Sequence, residues 1–129
     1  MREASVQSTA VEGQFEPRIE IVRKRLAAKF ADRMQQTIAA LPQMIGDDTA
    51  SVEPVAKAYR WLHEICGIAS TIGFPSMGQS ASACDALLIE PYRTKRGLSG
   101  AELEQLSERL KLLRLAARAE MKILESNQG

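Results

Sequence analysis

The chain has 129 residues, the usual length of one domain and too short for a kinase together with a partner domain. Its 17 Lys and Arg residues nearly balance 16 Asp and Glu residues, and the net charge of +1 argues against a general nucleic-acid binder. Aromatic residues make up only 5% of the chain, which favours helices over a β-sandwich.

The cysteine content and the hydropathy pattern indicate a cytoplasmic location. Two cysteines, Cys66 and Cys84, are too few for a disulfide framework, so a reducing compartment is the simpler setting. The first residues lack the apolar run of a signal peptide, and no stretch approaches 18 uncharged apolar residues. We therefore expect a cytoplasmic protein with no membrane partner.

The first helix is predicted to follow a polar N-terminal segment. Residues 1–16 show no apolar periodicity, and we expect them to be flexible. From Ile19 onward an apolar residue recurs every three or four positions, which predicts a helix at the start of a domain covering 17–126. Pro42 is expected to bend or restart this helix, and Gly46 marks its end.

Two further helices are separated by a glycine–proline break. Ser51 is a plausible N-cap for the second helix, and residues 73–75, Gly-Phe-Pro, end it and begin the third. Pro91 is expected to end the third helix, which makes residues 90–98 a loop. This loop carries three basic residues: Arg93, Lys95 and Arg96.

The fourth helix has the most complete start signal. Ser99 and Glu102 form a capping-box pattern, in which each side chain satisfies a backbone N–H of the other residue. Four amphipathic helices with short connections predict an all-α, up-down four-helix bundle.

The second helix contains the single histidine of the chain, His63, with Gly67 one turn later. A glycine in a helix interior costs roughly 1 kcal/mol relative to alanine, so its presence calls for a reason. Residues four apart are neighbours on a helix surface, and Gly67 therefore predicts a depression beside the imidazole that another protein's backbone can approach.

Two polar residues lie near the same helical face. Arg60 precedes His63 by three positions, and Ser70 follows it by seven. A guanidinium can offset the charge of a phosphate, and a hydroxyl can donate a hydrogen bond to a phosphoryl oxygen. We predict these roles for Arg60 and Ser70.

This part of the sequence resembles the histidine-containing phosphotransfer (Hpt) domain family. In the family's signature the histidine is followed by an apolar residue, usually a lysine, a glycine, two small residues and a second glycine ten positions after the histidine. The matching residues here are His63, Ile65, Gly67, Ala69, Ile72 and Gly73. Cys66 stands where the family usually has the lysine, and Ile68 replaces the first small residue.

The resemblance implies a phosphorelay intermediate rather than a kinase that hydrolyses ATP. His63 would accept a phosphoryl group from a receiver-domain aspartate and pass it to another receiver. The implied partners are response-regulator receiver domains and a hybrid histidine kinase. No cofactor is implied for this chain, because magnesium belongs to the receiver. A polar residue of the third helix would hold the other imidazole nitrogen, with Asp85 the first candidate before Gln79 and Ser82.

Two alternatives remain open from the sequence. The replacement at Cys66 favours a non-catalytic helical adaptor that docks on a receiver or kinase without exchanging phosphate. His63, Cys66 and Cys84 offer zinc-binding atoms, although their spacing matches no familiar zinc site.

Overall fold

A computed structural model gives the fold of the chain. It describes the backbone of residues 2–46 and 48–128 and the side chains of residues 18–46 and 48–121. The chain forms four helices in this order: α1 (Arg2–Met44), α2 (Thr49–Ala69), α3 (Pro75–Thr94) and α4 (Gly100–Gln128).

The chain divides into two compact units, Met1–Asp32 and Arg33–Gly129. In the first unit the backbone is helical from Arg2, well before the predicted helix start near Ile19. The side chains of residues 1–17 lie outside the described part, and the predicted flexibility of residues 1–16 stays a prediction. The described side chains of this unit are mostly exposed or half-buried.

The second unit contains the remainder of α1 together with α2, α3 and α4. These helices pack against one another, which confirms the predicted all-α four-helix bundle. Helix α3 packs against both α2 and α4. Apolar side chains at helical spacing fill the interior, because burying that face of each helix supplies most of the stability. The largest fully buried aliphatic residues are Met34, Met44, Val55, Leu62, Ile65, Met77, Leu88, Leu98, Leu106, Leu110 and Leu113.

Helices α3 and α4 are antiparallel, and a carboxylate joins them at one end. Glu120, in the C-terminal half of α4, accepts hydrogen bonds from the backbone N–H groups of Ser76 (3.0 Å) and Met77 (2.7 Å). These are first-turn amides of α3, which have no partner within their own helix. A side chain from α4 therefore caps the start of α3.

The opposite end of the bundle is closed by backbone hydrogen bonds. The N–H of Leu98 donates to the carbonyl of Met44 (2.7 Å), and the N–H of Gly46 donates to the carbonyl of Leu98 (3.2 Å). Ile45 and Leu98 thereby form an isolated parallel β-bridge. The bridge ties the end of α1 to the connection that precedes α4.

The prediction that Pro91 ends α3 is wrong, and the helix does not restart at Pro42, because each proline lies inside a helix close to its end. Helix α1 continues through Pro42 to Met44. Helix α3 continues past Pro91 to Thr94, so the predicted loop over 90–98 is shorter. A proline removes only its own N–H from the helix, and the ring of Pro91 is fully buried, which offsets that loss.

The predicted N-cap at Ser51 is also wrong. Helix α2 begins at Thr49 with Asp48 as the N-cap residue. Ser51 is buried, and its hydroxyl donates to the carbonyl of Ile45 (3.0 Å). The serine therefore closes the α1–α2 connection.

The predicted capping box at the start of α4 is confirmed. The N–H of Ser99 donates to Glu102 (2.9 Å), and the N–H of Glu102 donates to the Ser99 hydroxyl (3.1 Å). Arg96 adds two hydrogen bonds to the same carboxylate, at 2.9 and 3.1 Å. The hydrogen bonds from Arg96, the larger cause, and from Ser99 lower the pKa of Glu102 from 4.5 to about 2.

Within the described part of the chain, no helix combines the length and apolar character that crossing a membrane requires.

Candidate functional site

His63 projects into solvent from the C-terminal half of α2. Its neighbours Leu62 and Ile65 are buried in the bundle, which fixes the rotation of the helix and directs position 63 outward. The imidazole side chain is 64% exposed. An incoming protein can therefore reach the ring.

Helix α3 supplies a carboxylate partner for the ring. Asp85 Oδ1 lies 3.1 Å from His63 Nδ1, and the Asp85 side chain is only 18% exposed. The predicted contact between Asp85 and His63 is confirmed, in preference to Gln79 or Ser82. Cys84 and Leu88 are buried on the same helix and hold α3 in the register that presents Asp85.

This hydrogen bond distinguishes the two ring nitrogens. A carboxylate can only accept, so Nδ1 carries the hydrogen and donates it to Asp85. In the neutral imidazole Nε2 then holds the free lone pair. The contact therefore makes Nε2 the nucleophilic atom.

Open space adjoins the imidazole at the predicted place. A Cβ built on Gly67 meets no heavy atom within 4 Å, and the residue is exposed. A Cβ at this position meets no neighbouring atom, so packing within the bundle does not require a glycine. This agrees with a gap kept for an external molecule.

Two tyrosines near the imidazole were not foreseen as site residues. The Tyr59 ring stacks on the His63 ring, with centroids 5.4 Å apart and planes 20° apart. Tyr92, in the last turn of α3, stacks on Tyr59 at 4.2 Å and 20°. The i, i+4 spacing of Tyr59 and His63 was a readable signal for the first contact. The second depends on how α2 and α3 dock.

The electrostatics of this cluster keep Tyr59 neutral. Burial raises the pKa of the Tyr59 phenol, and the nearby charges of Asp85 and Tyr92 raise it further against a smaller opposing effect of Arg93. These effects disfavour the phenolate, so Tyr59 is a neutral ring beside the imidazole.

Neither of the two predicted polar helpers is hydrogen-bonded to His63 in this structure. Arg60 donates to Glu53 at 2.9 Å, with both side chains largely exposed. Ser70 is the C-cap residue of α2, and its Cβ lies 3.4 Å from a Cβ built on Gly78. The structure thus places neither in a hydrogen bond with His63, and their roles toward a phosphate stay predictions.

Among the basic residues in the last turn of α3 and directly after it, Arg96 already has hydrogen-bond partners. It donates to Glu102 and to the carbonyl of Gly97 (3.0 Å). Arg93 is the cation whose charge reaches Tyr59 and hence the site. Cys66 is half-buried on α2 and supplies no positive charge.

The zinc alternative is not supported by the arrangement of its three residues. Within the described residues no group of three or more His, Cys, Asp or Glu side chains could hold a metal ion. Cys84 is buried, and burial raises the pKa of its thiol to about 12, so this sulfur remains protonated.

Searches against protein-family models, curated proteins and solved structures find no match for this chain.

Proposed function

We propose that the chain is a histidine phosphotransfer protein that relays a phosphoryl group between receiver-domain aspartates through phospho-His63. The observation that carries the proposal is an exposed imidazole, hydrogen-bonded to Asp85 through Nδ1, beside the open space at Gly67. The resemblance to the Hpt signature over residues 63–73 supports it.

The transfer uses His63 as the nucleophile. The Nε2 lone pair attacks the phosphorus of a receiver's aspartyl phosphate, an Nε2–P bond forms, and the acyl P–O bond breaks. The receiver aspartate leaves as a carboxylate. The ring becomes cationic, and Asp85 stabilises it through the Nδ1–H hydrogen bond. The reverse sequence passes the group to a second receiver.

The partners in this proposal are those that the resemblance to the Hpt family implies. They are response-regulator receiver domains and a hybrid histidine kinase, meeting this protein in the cytoplasm. The chain itself uses no cofactor, since the magnesium ion and the acidic pocket belong to the receiver. Open space at Gly67 admits the receiver backbone to the imidazole.

The experiment is phosphotransfer profiling with purified proteins. Phosphorylated receivers from the source cell are incubated with the wild type, His63→Gln and Glu64→Gln, an exposed neighbour on the same helix. We expect acid-labile label on the wild type and on Glu64→Gln but not on His63→Gln. Absence of transfer from every native receiver would disprove the proposal.

A non-catalytic adaptor is the second candidate. Cys66 contributes no cation where the family usually has lysine, and Arg60 bonds to Glu53. The adaptor predicts receiver binding that is indifferent to His63→Ala, together with no acid-labile label. The relay predicts label that depends on His63.

A further inference from the structure

The stack formed by Tyr59 and Tyr92 lies beside the histidine but takes no part in the transfer chemistry. Tyr59 is the residue that contacts both other rings, at 5.4 Å to His63 and 4.2 Å to Tyr92. The plane of Tyr59 is within 20° of parallel to each of the other two. The stack connects α2 to α3 on the same side of the hairpin as the His63–Asp85 hydrogen bond.

An exposed imidazole with one hydrogen bond has freedom to rotate. Rotation about the Cβ–Cγ bond exchanges the places of Nδ1 and a ring carbon and breaks the contact with Asp85. A parallel aromatic neighbour restricts the ring to the two orientations, half a turn apart, that keep face-to-face contact, and the hydrogen bond to Asp85 selects the one with Nδ1 toward the carboxylate. Tyr59 lies one helical turn before His63 and can provide that restriction.

Tyr59 is itself held in place by Tyr92. Tyr92 belongs to the last turn of α3, which ends at Thr94 with Lys95 in the left-handed conformation. The backbone N–H groups of Lys95 and Arg96 donate hydrogen bonds to the carbonyl oxygens of Tyr92 and Pro91. These bonds fix the backbone of the last turn of α3. The orientation of the imidazole therefore depends on a residue seven positions beyond Asp85.

We propose that Tyr59, backed by Tyr92, is a positioning residue that keeps Nδ1 of His63 toward Asp85 and leaves Nε2 as the free nucleophile. This inference rests on the proposed function for its purpose. The orientation of the ring, set by the two tyrosines, is a property of the free protein and can be measured without any partner.

The test is the tautomer of His63, read from the ¹⁵N shifts of the two ring nitrogens by NMR in the free protein. The wild type is expected to carry its hydrogen on Nδ1. Tyr59→Ala and Tyr92→Ala are expected to lower the ratio of the Nδ1–H to the Nε2–H form by about two- to tenfold, the range of a single aromatic pair. Tyr59→Phe and Tyr92→Phe keep the ring and are expected to resemble the wild type.

Leu112→Ala is the control, since Leu112 is an exposed apolar residue on α4, and it is expected to leave the tautomer ratio unchanged. Circular dichroism checks that each variant folds, and Tyr92→Ala is the safer variant because Tyr92 is 38% exposed. Unchanged tautomer ratios in both alanine variants would overturn the proposal. Phenylalanine variants that behave like the alanine variants would assign the effect to the hydroxyls and overturn it as well.

The same proteins separate this inference from the relay itself. Transfer from a phosphorylated receiver is expected to slow two- to tenfold in the alanine variants and to recover in the phenylalanine variants. A wild type that accepts no phosphate while showing the tyrosine-dependent tautomer would refute the proposed function and leave the positioning role intact.

Discussion

His63 on α2 and Asp85 on α3 meet across the helical hairpin, with Nδ1 and Oδ1 3.1 Å apart and only the imidazole substantially exposed. The bundle therefore encloses most of the Asp85 carboxylate and leaves the His63 imidazole exposed to solvent. This division of roles makes Asp85 the residue whose replacement tests the proposed ring chemistry without removing the imidazole.

We expect Asp85→Ala to slow phosphorylation of His63 about tenfold, because hydrogen bonds to charged groups contribute about 1.5 kcal/mol at the low end of their range. Asp85→Asn retains an accepting oxygen and should fall between this variant and the wild type. Rapid-quench measurement with a phosphorylated receiver gives the rate. Glu90→Gln, an exposed change on the same helix, is the control, and equal rates for all four proteins would contradict the role of Asp85.

Two substitutions at Gly67 test its effects on stability and on phosphotransfer separately. Gly67→Ala should raise the free energy of unfolding by about 0.5–1 kcal/mol, because the added Cβ meets open space and alanine has the higher helix propensity. Gly67→Gln should leave helical circular dichroism unchanged and block phosphotransfer. Urea denaturation and the transfer assay measure the two effects.

Gly100 is the matched control for that experiment. A Cβ built there also meets nothing within 4 Å, at the start of α4 rather than beside the histidine. Gly100→Gln should transfer phosphate at the wild-type rate. If Gly67→Gln also transfers normally, the space beside His63 is not where a receiver docks.

Glu120 should be important for stability although it lies far along α4. Replacing it with alanine leaves two first-turn amides of α3 without their partner, and loss of such a cap costs about 1 kcal/mol. Glu108→Ala, which removes only an exposed contact with Lys111, should stay within about 0.5 kcal/mol of the wild type. Chemical denaturation of both variants checks the difference.

The lowered pKa of Glu102 predicts a pH-dependent contribution to stability. The folded-state pKa of about 2 lies below the ordinary 4.5, so the ionised form stabilises the fold above about pH 4.5. That contribution is lost as the pH falls toward 2. The melting temperature of the wild type should therefore exceed that of Glu102→Gln at neutral pH, and the gap should shrink between pH 4.5 and 2. A gap that is constant over this range would contradict the prediction.

Gly97 is required by close packing at the end of the bundle. A Cβ there would contact the carbonyl of Gly46, lie 2.7 Å from the carbonyl of Met44 and approach Ser51 to 2.8 Å. Because two of these atoms are backbone, Gly97→Ala should lower the free energy of unfolding by about 1–3 kcal/mol, the usual cost of overpacking. Gly100→Ala should not, and equal stability of the two variants would refute the packing argument.

The sequence was informative wherever structure depends on nearby residues. The apolar spacing predicted the helices, and the Ser99–Glu102 capping box was readable because both partners lie within one turn. The prediction for Pro91 was wrong for a related reason. Local rules treat Pro91 as a helix end, whereas its burial in the bundle depends on residues distant in the chain.

The candidate site was predictable in part. His63, Gly67 and the contact with Asp85 followed from the motif resemblance, but no motif indicated that Tyr92 of α3 would stack on Tyr59 of α2. That contact depends on the relative rotation of two helices, which is set by the whole core. The ion pair of Arg60 with Glu53 could not be predicted either, because an arginine has several carboxylates within reach on a helix surface.

The close approach of α2 to α3 has a consequence for how the site arises during folding. Its side chains, from Tyr59 to Tyr92, all come from one continuous hairpin joined at Gly73, where the backbone φ is +92°. Contacts between segments so near in the chain form early, because little loop-closure entropy opposes them. The reactive geometry is thus a local property of the polypeptide, and extensions or fusions attached at either terminus should leave it intact.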